Sequence, residues 1–278
     1  MKDHPEALKY KKILFTDLDG TLLNDQKQIS EYTREVLRDW TKAGHKLVLC
    51  SGRDINSVGN VKDELSLNYP GMYLIGYNGG QIYDCDQNKT LYKIMLSVPQ
   101  IKHIVETAGK LGIHCHTYTD THIVSPEDNE QLRYYRRVIK TPVIYSPDVT
   151  SVLQGGACKC IAVELHDEER LEALRKKLLP WAEEEGVSIL YSNPRYLEFF
   201  PSVSGKGAAI LKLCELIGIN PCFSVAAGDE QNDLSMIEKA GMGIAMANGK
   251  EEVKMAATLI TEEDNNHDGL AKALVDLI

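Results

Sequence analysis

Ile13-Leu14-Phe15-Thr16-Asp17-Leu18-Asp19-Gly20-Thr21 is the stretch on which the fold turns. Its apolar start reads as a short buried strand, and it stops on carboxylates, a glycine and a hydroxyl, residues favoured where a strand gives way to a loop. Outward from there, Ser30 to about Ala43 has helical spacing, with Ser30 placed to cap the helix ahead of Val36, Leu37 and Trp40. Lys46-Leu47-Val48-Leu49-Cys50 is a second buried strand, ending on Ser51-Gly52-Arg53, and Tyr73-Leu74-Ile75 is a third. Strands alternating with helices need right-handed crossovers, which predicts an α/β fold with a doubly wound, Rossmann-like parallel sheet.

The same grammar returns late in the chain. Gly207 to Leu216 is helical, Ser224-Val225-Ala226-Ala227 is a strand closing on Gly228-Asp229, and Asp233 to Ala240 is helical again. Gly243-Ile244-Ala245-Met246 and Thr258-Leu259-Ile260 are further short strands before a helix from Gly269. From about Cys85 to Tyr196 the pattern differs. Strand-like alternation (His114 to Tyr118, Cys160 to Leu165) mixes with an amphipathic helix at Glu168 to Glu184, which reads as an α+β module inserted into the α/β core. The expected division is 1–85 and 197–278 for the core and 86–196 for the insertion.

The chain has 278 residues, of which 43% are hydrophobic and 26% charged, enough for one large or two modest domains with ordinary cores. Its 31 Lys and Arg against 40 Asp and Glu give a net charge of −9, which argues against a general nucleic-acid surface. No apolar run approaches the ~18 residues of a membrane span. The stretch Met1 to Glu6 has no apolar signal core. Seven cysteines, an odd number, do not make a disulfide framework, so a reduced, cytoplasmic protein is expected. An acidic protein that handles an anion must find positive charge somewhere.

Four polar clusters sit at the ends of these elements. Asp17 and Asp19 have an ordinary reading as a turn with Asx hydrogen bonds. Two carboxylates after a buried strand also crowd negative charge at the ligand-binding edge of a sheet, which suits a nucleophile and a general acid/base over a divalent metal. Ser51-Gly52-Arg53 offers a hydroxyl and amides to an oxyanion, or is a plain turn. Cys50 beside it lacks the spacing of a thiol phosphatase, because Cys-x-x-Arg is too short to wrap a phosphate, and reads as a small core residue. Ser204-Gly205-Lys206-Gly207 brings a lysine to a helix start, facing either an anion or solvent, and is no Walker A loop. Gly228-Asp229-Glu230-Gln231-Asn232-Asp233 presents hard oxygen ligands of the kind Mg2+ takes, or is simply an acidic first helical turn.

Taken together and in this order, the clusters resemble the four motifs of the haloacid dehalogenase (HAD) superfamily of phosphohydrolases, over essentially the whole chain. The insertion is similar to the cap domain of the Cof-type, subclass IIB members; Ser51 stands where many relatives carry Thr, with the hydroxyl retained. The resemblance implies that Asp17 is the nucleophile, forming an aspartyl-phosphate, and that Asp19 is the general acid/base. It implies Mg2+ held by the Asp17 carboxylate, the Asp19 main-chain carbonyl and Asp229. Ser51, the Gly52 amide, Lys206 and Asn232 would hold phosphate oxygens, with Asp233 orienting Lys206 or a water on the metal. The implied activity is Mg2+-dependent hydrolysis of phosphomonoesters of small metabolites: a sugar phosphate, a nucleotide or a cofactor phosphate. A phosphomutase with the same chemistry, or a catalytically idle binding protein, are the alternatives. No nucleic-acid or membrane partner is expected, and the sequence is silent on oligomeric state.

Three further features draw weaker expectations. Asn78-Gly79-Gly80 reads as a tight hinge turn near the junction with the insertion, with an indirect role at the site as the second reading. His114-Cys115-His116 with Cys158 and Cys160 invites zinc, but strand alternation puts His114 and His116 on one face, Cys158 and Cys160 lie far along the chain, and no Cys-x-x-Cys spacing occurs. Tyr118, Asp120 and His122 lie in a hairpin of the insertion, facing substrate or forming a solvated turn.

Overall fold

The computed structural model describes residues 11–137 and 139–278, so the Met1 to Glu6 stretch lies outside the described residues. The chain begins with β1 (Ile13–Asp17), α1 (Glu31–Lys42), β2 (Lys46–Cys50), α2 (Ile55–Glu64), β3 (Met72–Gly76), β4 (Gln81–Asp84) and β5 (Lys89–Lys93). It continues through α3 (Val98–Lys110), β6 (His114–Tyr118), β7 (Ile123–Ser125), α4 (Glu130–Tyr135), β8 (Val143–Tyr145), β9 (Cys160–Val163), α5 (Glu168–Glu185), β10 (Val187–Asn193) and β11 (Tyr196–Pro201). It ends with α6 (Lys206–Ile217), β12 (Ser224–Gly228), α7 (Leu234–Lys239), β13 (Met242–Ala245), α8 (Glu251–Ala256), β14 (Leu259–Ile260) and α9 (Gly269–Val275).

Two compact units result, residues 11–92 with Gly205–Ile278, and Lys93–Ser204. The first is built on an eight-stranded sheet of order β14-β13-β12-β1-β2-β3-β4-β5, parallel from β14 to β3. Successive side chains of a strand point to opposite faces, and here both faces are covered. Leu14, Leu47, Leu49 and Leu74 pack with Val36, Leu37 and Trp40 of α1, Val58 of α2 and Leu274 of α9. Their neighbours Ile13, Phe15, Val48 and Ile75 pack on the other face with Ile210 and Leu213 of α6 and Met236 of α7. This is the doubly wound arrangement expected from the alternation of strands and helices. Ser30 caps α1 as its position suggested, accepting from the Thr33 amide at 3.0 Å.

The second unit is a six-stranded sheet of order β10-β11-β9-β6-β7-β8, antiparallel except for the β7–β8 pair. Ile101 and Ile104 of α3 and Leu171, Leu174 and Leu178 of α5 bury one face of it against Cys115, Ala162 and Phe199. The seams between units fall at Tyr92/Lys93 and Ser204/Gly205, later than the 85/86 and 196/197 read from sequence. The reason is pairing: β4 and β5 extend the first sheet, and all of β11 belongs to the second.

The same pairing corrects the reading of Asn78-Gly79-Gly80. That turn joins antiparallel neighbours β3 and β4 within the first unit, so it is not one of the two chain segments that link the units, although it packs against Gly205 at the second seam. Tyr77, Asn78 and Gly79 all adopt left-handed backbone there, and a Cβ on Gly79 would sit 2.3 Å from the Gly205 carbonyl oxygen. The helix expected from Asp233 also starts differently. Gln231–Asp233 is a 3-10 turn and α7 begins at Leu234, because the Asp233 carboxylate is turned back onto the amides of Asp229 and Glu230.

Candidate active site

Because β1, β2 and β12 are parallel neighbours, their C-terminal ends share one edge of the sheet. From β1 the chain steps outward through β2 and β3; from β12 it steps the opposite way through β13 and β14. Strand order therefore reverses between β1 and β12, the position where open α/β sheets form a ligand crevice. Asp17 ends β1, Ser51 follows β2, and Asp229 follows β12.

Lys206, the first residue of α6, is fully buried and donates to Asp17 Oδ1 and Asp233 Oδ1, each at 2.5 Å. Asp233 Oδ2 accepts from the Asp229 and Glu230 amides at 3.0 and 3.1 Å, so both of its oxygens are engaged. Asp229 Oδ1 accepts from the Thr21 hydroxyl at 2.7 Å. One oxygen each of Asp17, Asp229 and Asp233 lie within 4.8 Å of one another. Asp17 Oδ2 and Asp229 Oδ2 receive no hydrogen bond among the described residues.

Three buried carboxylates around one ammonium leave an excess of negative charge. Burial pushes the Asp17 carboxyl up to about 8 despite the pull of Lys206, with Asp233 and Asp229 adding to the rise. Burial likewise pushes Asp229 up to about 6, over the opposing hydrogen bond from Thr21. The Lys206 ammonium resists burial because Asp17 and Asp233 outweigh it and raise its pKa. A small divalent cation fits such a donor set: hard oxygens, two of them uncommitted, in a place that otherwise fills its charge deficit with protons. Gly20 guards that space. It has a left-handed φ of 82°, and a Cβ there would lie 2.4 Å from Asp229 Oδ2.

Asp19 faces other partners. One guanidinium nitrogen of Arg53, Nη2, lies 2.9 and 2.8 Å from its two oxygens, and Lys27 Nζ lies 2.8 Å from Oδ1. Burial alone would raise this carboxyl, but Arg53 and Lys27 outweigh it and hold it below the ordinary value. Ser51 is buried, and its hydroxyl oxygen accepts from the Arg53 amide at 3.2 Å. Asn232 Nδ2 donates to Asn78 Oδ1 at 3.1 Å, and Asn78 also packs where a Cβ on Gly52 would come within 3.0 Å of it. Cys50 is fully buried with its thiol pushed up by burial, which makes it a core residue and no thiolate.

The structure thus brings Asp17, Lys206, Asp229 and Asp233 into direct contact or near it, with Asp19, Ser51, Gly52 and Asn232 on the adjoining loops. Sequence reasoning gave no role to Arg53, Lys27 or Thr21, and offered Asn78 an indirect role at the site only as the second reading, which its contact with Asn232 fits. Arg53 carried a signal, a cation two residues after a strand-end hydroxyl. Lys27 carried none, because its reach depends on the turn at 24–28.

In the second unit the zinc reading fails on strand alternation. His114 and His116 share one face of β6, with Nε2 and Nδ1 3.2 Å apart. Cys115 points to the other face, where it interacts with Cys160. Among the described residues the three aspartates are the only metal-capable group of three or more. Tyr118 is buried with its hydroxyl 2.5 Å from that of Tyr135, Asp120 pairs with Lys93, and His122 Nδ1 lies 2.8 Å from the Thr121 hydroxyl.

Residues 14–274 match the family model of haloacid dehalogenase-like hydrolases. The chain belongs to that family. A HAD-like hydrolase from Bacteroides thetaiotaomicron has 31% sequence identity to it and superposes with a TM-score of 0.88, over 97% of this chain and all (100%) of that one. The 5-amino-6-(5-phospho-D-ribitylamino)uracil phosphatase YwtE of Bacillus subtilis (strain 168) is 29% identical over 293 residues, covering 96% of this chain and 98% of the relative. The HAD subclass IIB sugar phosphatase BT4131 shares the fold, with a TM-score of 0.77 at 22% identity over 96% of this chain and 99% of the other. This HAD-like hydrolase is accordingly a phosphatase of phosphoric monoesters, with a subclass IIB fold. Phosphatases of the superfamily generally use Mg2+. Within the described residues no helix is long and apolar enough to cross a membrane.

Proposed function

We propose that this chain is a Mg2+-dependent phosphatase that hydrolyses phosphomonoesters of small metabolites, such as a sugar phosphate, a nucleotide or a cofactor phosphate, through an aspartyl-phosphate on Asp17. One observation carries the reading: Asp17 ends the central strand with one oxygen held by the buried Lys206 and the other without a protein hydrogen bond among the described residues. A carboxylate fixed at one oxygen presents the other as an oriented nucleophile.

In the first half-reaction Asp17 Oδ2 forms a bond to phosphorus while the bond to the leaving oxygen breaks. The electron pair departs on that oxygen, and Asp19 supplies the proton that neutralises it. In the second, Asp19 takes a proton from a water whose oxygen attacks phosphorus, and the bond to Asp17 breaks to release inorganic phosphate. Lys206, the Gly52 amide, Asn232 and Ser51 would hold the phosphoryl oxygens; Ser51 accepts from the Arg53 amide, which leaves its hydroxyl hydrogen to donate. Asp17, the Asp19 main-chain carbonyl and Asp229 would hold Mg2+, which when bound supplies positive charge against the phosphoryl group. Asp233, with both oxygens engaged by Lys206 and backbone amides, acts from behind by orienting the lysine. None of the seven cysteines is joined in a disulfide, which supports a reducing, cytoplasmic setting.

The test is a phosphate-release screen over a metabolite panel with Mg2+, with EDTA and with no bisphosphate added. Release should require Mg2+, and Asp17→Asn should abolish it while the circular dichroism spectrum and thermal midpoint survive. Near wild-type turnover by Asp17→Asn overturns the nucleophile assignment.

A further inference from the structure

We infer that Arg53 and Lys27 are positioning residues that clamp the Asp19 carboxylate from two sides and so govern protonation of the leaving group. The inference rests on the reading of Asp19 as the general acid. Asp19 stands outside the tight aspartate group, and its carboxylate touches neither Lys206 nor any member of that group. Its orientation comes instead from two cations on separate loops.

The two arms differ in stiffness. Arg53 is the rigid one: its side chain is 18% exposed, and a single nitrogen straddles both carboxylate oxygens. Its backbone is tied at both ends, the amide donating to the Ser51 hydroxyl at 3.2 Å and the carbonyl accepting from the Tyr77 amide at 2.8 Å. Any shift of Arg53 would therefore disturb the Ser51 loop and the Tyr77 turn together. Lys27 is the soft arm, 58% exposed, carried on a turn in which Asn24 Oδ1 accepts from the Gln26 and Gln28 amides at 3.0 and 2.9 Å. Its left-handed φ of 60° turns the chain back at that point. An exposed lysine pair adds little to stability, so the effect of Lys27 belongs to orientation.

If Arg53 instead gripped substrate phosphate, its loss would weaken every substrate alike. If it positions the acid, its loss hurts only where the leaving oxygen needs a proton, because misorientation of Asp19 outweighs the easier protonation that follows when a cation beside its carboxyl is removed. The full chain with Mg2+ is assayed on a series of phosphomonoesters running from 2,4-dinitrophenyl phosphate through phenyl phosphate to alkyl phosphates. The quantity read is kcat/KM, which excludes the shared hydrolysis of the aspartyl-phosphate. Arg53→Gln should stay within about twofold of wild type on the dinitrophenyl ester and lose roughly 10²-fold on alkyl esters, within the span general-acid catalysis covers. Millimolar guanidinium should restore part of that loss, and Arg53→Lys should fall between. Lys27→Met, on an exposed side chain that leaves the fold intact, should show the same tilt at a few-fold size. A uniform loss across the series in both variants, or no loss, overturns the inference. Asp19→Asn run beside them separates the two readings: a tilt there with none in Arg53→Gln and Lys27→Met sinks the clamp alone, whereas no tilt in Asp19→Asn removes the general acid and the clamp with it.

Discussion

At the scale of one residue, Lys206 answers part of the charge question. Among the described residues it is the single ammonium in contact with Asp17 and Asp233, and it is fully buried. Removing one partner of a buried ion pair leaves an uncompensated charge and costs about 3–5 kcal/mol. Lys206→Met should therefore lower the urea midpoint markedly at pH 8. The loss should shrink at pH 5, where Asp17, raised by burial even with the ammonium beside it, is protonated in wild type as well, so that Asp233 is the carboxylate left without its cation. Equal losses at both pH values would contradict the charge argument. Gly20 makes a second residue-scale case. A methyl group there collides with Asp229 Oδ2 on a left-handed backbone, so Gly20→Ala should cost about 1 kcal/mol or more in stability and raise the Mg2+ concentration needed for half-maximal activity.

At the scale of the element, β6 shows how a strand sorts its side chains. Alternation sends Cys115 into the apolar core and lines up His114, His116 and Tyr118 on the opposite face, where His116 Nε2 lies 3.4 Å from the Tyr118 hydroxyl. Burial pushes His114 down to about 4, against the opposing pull of Glu127, and pushes His116 well below its ordinary value, with His114 and Lys159 adding to the fall. Between the ordinary 6.5 and about 4 the unfolded chain takes up a proton that the folded chain refuses, so stability is complete above 6.5 and lost as pH falls. His114 alone accounts for roughly 3 kcal/mol by pH 4. On going from pH 7 to pH 5 the wild-type urea midpoint should lose ground to that of His114→Gln, a difference that cancels the other titrating groups; parallel curves would exclude the imidazole as the source. The 3-10 turn at Gln231–Asp233 belongs to the same scale. Helical spacing ran through Asp233, but its side chain satisfies two amides that a regular first turn would leave to solvent.

At the scale of the molecule, the reversal of strand order between β1 and β12 gathers the acids, and proton–metal competition follows. Asp229, at about 6 against an ordinary 3.8, holds a proton in the folded metal-free protein that the unfolded chain has lost. This contribution to metal-free stability therefore declines as pH rises from 3.8 through 6. At the proposed site Mg2+ would displace the same proton, so its apparent affinity should weaken by at least about tenfold per pH unit below pH 6. Calorimetric titration in two buffers of different ionisation enthalpy counts the protons released. Zero release at pH 5.5 would show that the carboxylates are already ionised.

The sequence by itself determined the alternation of strand and helix and the acids, hydroxyl and lysine at the element ends, because period-two and helical spacing are local and each motif lies within a few residues. Tertiary structure alone decided which of these charges meet. Lys206 reaches Asp17 across 189 positions, Arg53 reaches Asp19 across 34, and Asn232 reaches Asn78 across 154. No local pattern encodes those meetings; parallel pairing of β1, β2 and β12 brings their ends together at one edge. The same pairing placed the seams at Tyr92/Lys93 and Ser204/Gly205, since strand membership is settled by a neighbour's hydrogen bonds and not by the strand's own residues.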